Sequence, residues 1–162
     1  MGTAVNGFIG LAVIVLVVYC MCSGKSRTSR VPSGHAHSGT RARVAKHEAG
    51  HVVAARRVGG RVKSADVYAG GGGLVTWTGI NGSEREQVVA NIAFLRAGRY
   101  AAGTGAGCSG DDAAVRQMLR YLPTTDRAAA QRAGEAEARR IVSSNRGEIR
   151  RIANHLDRKG SL

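Results

Sequence analysis

The residues with the clearest chemical spacing lie in the run His47-Glu48-Ala49-Gly50-His51. On a helix, positions i and i+4 project from the same face, about one turn apart. Two imidazoles placed in this way can bind one Zn²⁺, and the glutamate between them can reach a water molecule at the open coordination position. The H-E-x-x-H pattern therefore predicts a zinc site with His47 and His51 as ligands and Glu48 as the catalytic base.

A catalytic zinc site needs a third protein ligand. Asp111 and Asp112 follow a glycine-rich segment and open a predicted helix, an arrangement that can direct a carboxylate towards a metal. With Ser109 as N-cap, Asp112 falls at the N3 position as the partner of the cap, and Asp111 is left free to point elsewhere. Both aspartates also suit the positive end of a helix, so a purely structural role stays open. Weaker candidates downstream of the motif are Glu84, Glu86 and Cys108.

The elements that must position these residues are mainly helices. Ser83 and Glu86 form a predicted capping box, Gly59-Gly60 ends the first helix, and a glycine-rich turn joins two short strands. The predicted elements are helices over residues 41–58, 83–101, 111–122 and 125–158, and strands over residues 62–68 and 74–78. The predicted fold class is α+β, mainly α with a small β-hairpin or sheet.

An uncharged apolar segment over residues 5–22 precedes this domain. As a helix it spans about 27 Å, close to the hydrocarbon thickness of a bilayer, about 30 Å. Basic residues follow it, and no Lys or Arg precedes it as a cleaved signal peptide would require. The sequence therefore predicts a transmembrane signal-anchor over 5–22, a flexible basic linker over 23–40 and a cytoplasmic domain over 41–160.

Composition limits the class of function. The chain has 162 residues, with Lys+Arg 24 against Asp+Glu 11 and a net charge of +13. This length allows one small catalytic or binding unit. The basic excess indicates an anionic neighbour, in the first place the membrane beside the predicted anchor. Aromatic residues make up only 4%, and no nucleic-acid motif is present, which argues against nucleic acid as the partner.

Taken together, these motifs resemble the peptidase domain of the membrane-anchored FtsH-type proteases, the M41 metallopeptidases. HEAGH followed by VVAA is similar to the zinc-binding helix of that family. The run GGGLVTWT over residues 71–78 is similar to its strand at the substrate groove. Residues 97–102 resemble its G-R-x-A-E segment, and residues 107–111 its segment with the third zinc ligand. The resemblance spans about residues 41–156.

The resemblance implies an M41-like helical zincin domain behind a transmembrane helix. It implies that Zn²⁺ is bound by His47, His51 and Asp111, with Asp112, at a normally apolar position, as the alternative ligand. It also implies that an extended polypeptide substrate binds along the predicted strand. The substrate-binding residues are then Gly73, Leu74, Val75 and Thr76.

The chain departs from the family pattern in ways that affect the expected function. No AAA ATPase module is recognised in these 162 residues, and Ala102 stands where the family has glutamate. We therefore expect a membrane-anchored zinc metalloendopeptidase that acts on flexible or unfolded polypeptide, unless a separate ATPase or an oligomer partner delivers the substrate. The alternative is a catalytically silent, membrane-tethered binding or regulatory module with a basic surface.

Overall fold

The computed structural model describes residues 36–103 and 109–162. This part of the chain is mainly helical, with a two-stranded antiparallel sheet, which agrees with the predicted α+β class. The elements in chain order are α1 (Ala36–Arg57), β1 (Arg61–Val67), β2 (Gly73–Thr78), α2 (Glu84–Ala102), α3 (Ser109–Leu119), α4 (Thr124–Ser144) and α5 (Arg146–Lys159).

The first helix begins earlier than the sequence predicted. α1 starts at Ala36, so the last five residues of the segment predicted as linker are helical. The predicted transmembrane segment over 5–22 and the rest of the linker lie outside the described residues. Across residues 36–103 and 109–162, no helix combines the length and the apolar character needed to cross a bilayer.

The last predicted helical region is divided into two helices at Asn145. This residue leaves the helical conformation, and its side-chain Nδ2 donates a hydrogen bond to the carbonyl oxygen of Ile141 at 2.7 Å. An Asn side chain that bonds the backbone in this way competes with the continuing helix, which is why α4 ends here. Its own carbonyl then accepts from Ile149 N at 3.0 Å as α5 begins.

The core is arranged around α1, which packs against α2, α5 and the sheet. A Cβ on Gly50 would lie 2.6 Å from the carbonyl oxygen of Ala97 and 2.7 Å from Cβ of Ala101. α1 and α2 therefore cross in direct contact at a point that only glycine allows. The fully buried apolar residues of α1 are small: Ala45, Ala49, Val52, Val53, Ala54 and Ala55.

The sheet joins β1 and β2 through a turn in which Gly71 and Gly72 both have φ of 87°. Residues at the C-terminus cover the outer edge of β1. There the backbone N–H of Val67 donates to the carbonyl of Gly160 at 2.6 Å, and that of Leu162 to the carbonyl of Ala65 at 2.9 Å. The opposite edge, that of β2, has no backbone partner among the described residues.

Candidate metal centre

The two histidines of the motif lie on one face of α1 and are both buried. Their Nε2 atoms are 2.9 Å apart. This convergence follows from the spacing of four residues on a helix whose surroundings exclude water. α1 therefore directs two nitrogen atoms at one point, where they could bind one metal ion.

Asp111, in the first turn of α3, completes the group. Its side chain is fully buried, and its Oδ2 lies 3.2 Å from His47 Nε2 and 3.6 Å from His51 Nε2. Both of its carboxylate oxygens lack a hydrogen-bond donor. A buried carboxylate without donors is costly unless a cation compensates it. The structure thus brings together the three residues that the sequence selected as metal ligands.

The arrangement fits a tetrahedral zinc ion. Ligands at about 2.0–2.1 Å from Zn²⁺ lie about 3.3 Å from one another in a tetrahedral site. The three separations of 2.9, 3.2 and 3.6 Å bracket this value. Space is kept by Gly98 of α2, because a Cβ there would lie 2.5 Å from His51 Nε2 and 2.7 Å from His47 Nε2. Two histidines and one carboxylate are also a donor set found in catalytic zinc sites.

The orientation of the His51 ring is fixed by the backbone of α2. Nδ1 lies 2.8 Å from the carbonyl oxygen of Phe94, and because a carbonyl only accepts, Nδ1 carries the proton and donates it. Burial lowers the pKa of His51 to about 4, so the ring is neutral at pH 7 and its Nε2 presents a lone pair. The ring of Phe94 packs at 4.7 Å from that of His51 and stacks on Trp77 at 4.8 Å.

Glu48 lies between the two histidines in sequence and is also buried. Burial raises the pKa of Glu48 to about 7, with a smaller rise from Asp111 and an opposing effect from His47. Its Oε1 has no hydrogen-bond partner. β2 begins directly against it, since a Cβ on Gly73 would lie 2.5 Å from Glu48 Cγ. The carboxylate is therefore in a buried site, and its raised pKa allows it to accept and release a proton near neutral pH.

The neighbouring aspartate has a different role. Asp112 does not belong to the metal-ligating group and instead pairs with two arginines of α2, Arg96 and Arg99. Partial burial raises the pKa of Asp112, but hydrogen bonds from the two arginines outweigh this and hold it below the usual value. Arg96 is itself largely buried, with Glu135 of α4 at 3.5 Å. These ion pairs join the start of α3 to α2.

The strand predicted to bind substrate starts at the metal centre. Gly73 and the side chain of Val75 lie on the buried face of β2, and the side chains of Leu74 and Thr76 are half-buried. Alternate residues of β1 direct their backbone groups outward, where these bond the C-terminal residues. The residues between them direct their backbone groups towards β2, where these pair with Leu74 and Thr76. The backbone groups of Gly73 and Val75 therefore point to the edge of β2 that has no partner among the described residues.

Two of the weaker ligand candidates, Glu84 and Glu86, are not brought to this site. Glu84 is exposed in the first turn of α2. Glu86 forms the predicted capping box, in which its Oε2 accepts from Ser83 N at 2.8 Å and the Ser83 hydroxyl accepts from Glu86 N at 3.3 Å. Cys108 lies outside the described residues.

Three contributors to the site have no clear signal in the sequence. The Phe94 carbonyl is a backbone group, so no residue type marks it. Gly98 lies in the segment compared with G-R-x-A-E, but its contact with both imidazoles requires the crossing of α1 and α2. Arg96 pairs with Asp112 across two helices, and a separation of 16 residues follows no helical period.

No model of a known protein family matches the chain, and no curated protein matches it significantly.

Proposed function

We propose that this protein is a zinc-dependent endopeptidase with an M41-like zincin fold, tethered to a membrane by residues 5–22. The observation that carries the proposal is the buried group of His47, His51 and Asp111 with Glu48 beside it. Structural zinc sites commonly use four protein ligands, whereas three ligands with an adjacent carboxylate are typical of hydrolytic sites.

When bound, zinc polarises the carbonyl of the scissile bond and lowers the pKa of water. The chain supplies the proton acceptor. A carboxylate whose pKa is raised to about 7 by burial accepts a proton from water more readily than an exposed glutamate does, and Glu48 can then pass the proton to the leaving amine. The neutral His51, held by the Phe94 carbonyl, keeps its lone pair directed at the site.

Support for a polypeptide substrate comes from β2. Its outer edge presents the backbone groups of Gly73 and Val75, to which an extended chain can add by main-chain hydrogen bonds. Such binding requires the substrate to be extended at the site, so folded segments are poor substrates. We infer that the protein acts on flexible or unfolded polypeptide, alone or with a separate ATPase or oligomer partner.

The experiment compares zinc-loaded wild type with Glu48→Gln on a fluorescence-quenched unstructured polypeptide. Loss of a general base lowers kcat by about 10²- to 10⁴-fold, and we expect zinc content to stay at one ion per chain. Glu84→Gln, an equivalent change on the surface, should retain full activity.

Equal cleavage by wild type and Glu48→Gln would contradict the mechanism. No cleavage by the zinc-loaded wild type would contradict the enzymatic function and favour the non-hydrolytic module with a basic surface.

A further inference from the structure

A concave site lies between α1, the C-terminal end of α2, α4 and α5. Its volume is about 710 Å³. None of the metal-centre residues lines it. Lys46, which precedes His47 on α1, does line it, but the two side chains project about 100° apart around the helix axis. Apolar side chains, including Val142 and Ile149, form part of its surface. We call this site the basic cleft.

The basic cleft concentrates positive charge that the rest of the described chain does not neutralise. Lys46, Arg146 and Arg150 line it and form no ion pair in residues 36–103 and 109–162. Arg146 and Arg150 are four residues apart on α5 and so lie on the same face of that helix. Like charges placed together repel one another, and an anionic ligand relieves that repulsion.

The other charged residues of the cleft do not cancel this field. Arg139 adds a fourth cation, with its Cζ 5.0 Å from the ring centre of Tyr100 and its nearest carboxylate, Glu135, at 3.9 Å. Asp157 is the one acidic residue in the lining, and it lies 3.7 Å from Arg41. The cleft therefore has apolar walls with a strongly cationic rim.

We propose that the basic cleft binds an acidic segment of the polypeptide substrate, an inference that rests on the proposed peptidase function. Guanidinium groups bind carboxylates through two parallel hydrogen bonds, which suits Asp and Glu side chains. The apolar walls accommodate the aliphatic parts of a peptide. α1 and α2 both line the cleft and both contribute to the metal centre, so a peptide bound in the cleft contacts two of the helices that form that centre.

Other polyanions fit the cleft less well. Tyr100 is the aromatic residue in the lining, and Arg139 lies over one face of its ring, so that face is not open for stacking by the bases of a nucleic acid. A bilayer surface is flat and contacts protruding basic groups more readily than a recess. A peptide enters a cleft of this size with both its charged and its apolar groups in contact.

The test uses the full-length Glu48→Gln protein, in which cleavage does not interfere with binding. Fluorescence anisotropy at 0.1 M salt compares a labelled peptide of alternating Glu and Ala with the same peptide carrying Gln for Glu. We expect the Glu peptide to bind at least ten times more tightly. Adding Arg150→Gln should weaken its binding about two- to five-fold, as expected for loss of one solvent-accessible ion pair.

Arg151→Gln is the matched control, because it removes the same charge from the next residue of α5, which is exposed and does not line the cleft. Equal effects of Arg150→Gln and Arg151→Gln would overturn the proposal, as would equal affinity for the Glu and Gln peptides. Tighter, Arg150-dependent binding of a thymidine oligonucleotide or of glycerophosphoserine would overturn the assignment to polypeptide.

The two proposals fail in different ways. With zinc-loaded enzyme that has Glu48 intact, Arg150→Gln should raise KM for an acidic substrate and leave kcat unchanged. Binding of the Glu peptide that depends on Arg150, without cleavage by the wild type, supports the cleft as a peptide site and contradicts only the peptidase function. Cleavage by the wild type with identical KM in Arg150→Gln contradicts only the cleft.

Discussion

The substitution Gly98→Ala tests the geometry of the metal centre with a single methyl group. The new Cβ would lie 2.5 Å from His51 Nε2 and 2.7 Å from His47 Nε2, the two atoms that we propose bind the metal. Non-bonded contacts of carbon normally lie at about 3.5 Å or more, so the imidazoles must move by about 1 Å. His51 cannot move freely, because the Phe94 carbonyl holds its Nδ1 at 2.8 Å.

The size of the effect follows from the tolerance of metal coordination. Ligand distances must stay within about 0.2 Å of their normal values, and a displacement of about 1 Å exceeds this several-fold. We expect zinc affinity to fall by at least about 100-fold. The metal-free protein should lose only about 0–2 kcal/mol, because the helix propensity of Ala, about 1 kcal/mol better than Gly, offsets an overpacking cost of about 1–3 kcal/mol.

The assay combines competitive zinc titration with urea unfolding, each with and without zinc. A 100-fold loss of affinity reduces the stabilisation by saturating zinc by about 2.7 kcal/mol. Gly147→Ala is the control, since a Cβ in that first turn of α5 meets only Arg151 Nη1 at 4.0 Å, and it should leave zinc affinity unchanged. Wild-type zinc affinity in Gly98→Ala would refute the assignment of the metal site to this point.

Two further predictions concern charged groups at the same site. Because the pKa of Glu48 is raised in the folded protein, the free energy of unfolding falls as pH rises from 4.5 to about 7. Because the pKa of His51 is lowered, the free energy of unfolding falls as pH decreases from 6.5 to about 4. In the metal-free wild type, the two effects therefore largely cancel between about pH 4.5 and 6.5. In Glu48→Gln only the effect of His51 is left, so the free energy of unfolding should fall by about 3 kcal/mol as pH decreases from 6.5 to about 4, measured by unfolding curves. The same decrease in the wild type would contradict this cancellation. Asp112→Asn weakens the ion pairs that hold α3 to α2, so zinc affinity should fall about 10- to 100-fold. Asp126→Asn, in the first turn of α4, is the control and should leave zinc affinity unchanged. Complete loss of zinc in Asp112→Asn but not in Asp111→Asn would show that the ligand was assigned to the wrong aspartate.

The helices of this chain could be located from local signals, but their exact ends could not. The capping box of Ser83 and Glu86 is confirmed at the start of α2 because both of its partners lie within one turn. The break at Asn145 was missed, since a single Asn is compatible with a continuing helix and the apolar period persists on both sides of it. Whether such a residue ends a helix depends on how the next segment packs.

The candidate site was predicted to different degrees along the chain. His47 and His51 share a helix, so their convergence follows from a fixed rise and turn per residue. Asp111 and Asp112 are adjacent and chemically identical, and capping arguments could only favour one of them. The structure separates them through α2, whose Arg96 and Arg99 pair with Asp112 and whose Gly98 leaves space beside the histidines.

The sequence by itself determined the local part of this protein: a helix that presents two imidazoles and a carboxylate at fixed spacing, and a mainly helical chain with one short hairpin. Only the tertiary structure decided which aspartate joins them, how His51 is oriented and where unpaired cations gather into a cleft. The physical reason is range. Helical spacing is set by bonds and dihedral angles within a few residues, whereas burial, proton affinity and ion pairing depend on groups that packing brings together from distant positions.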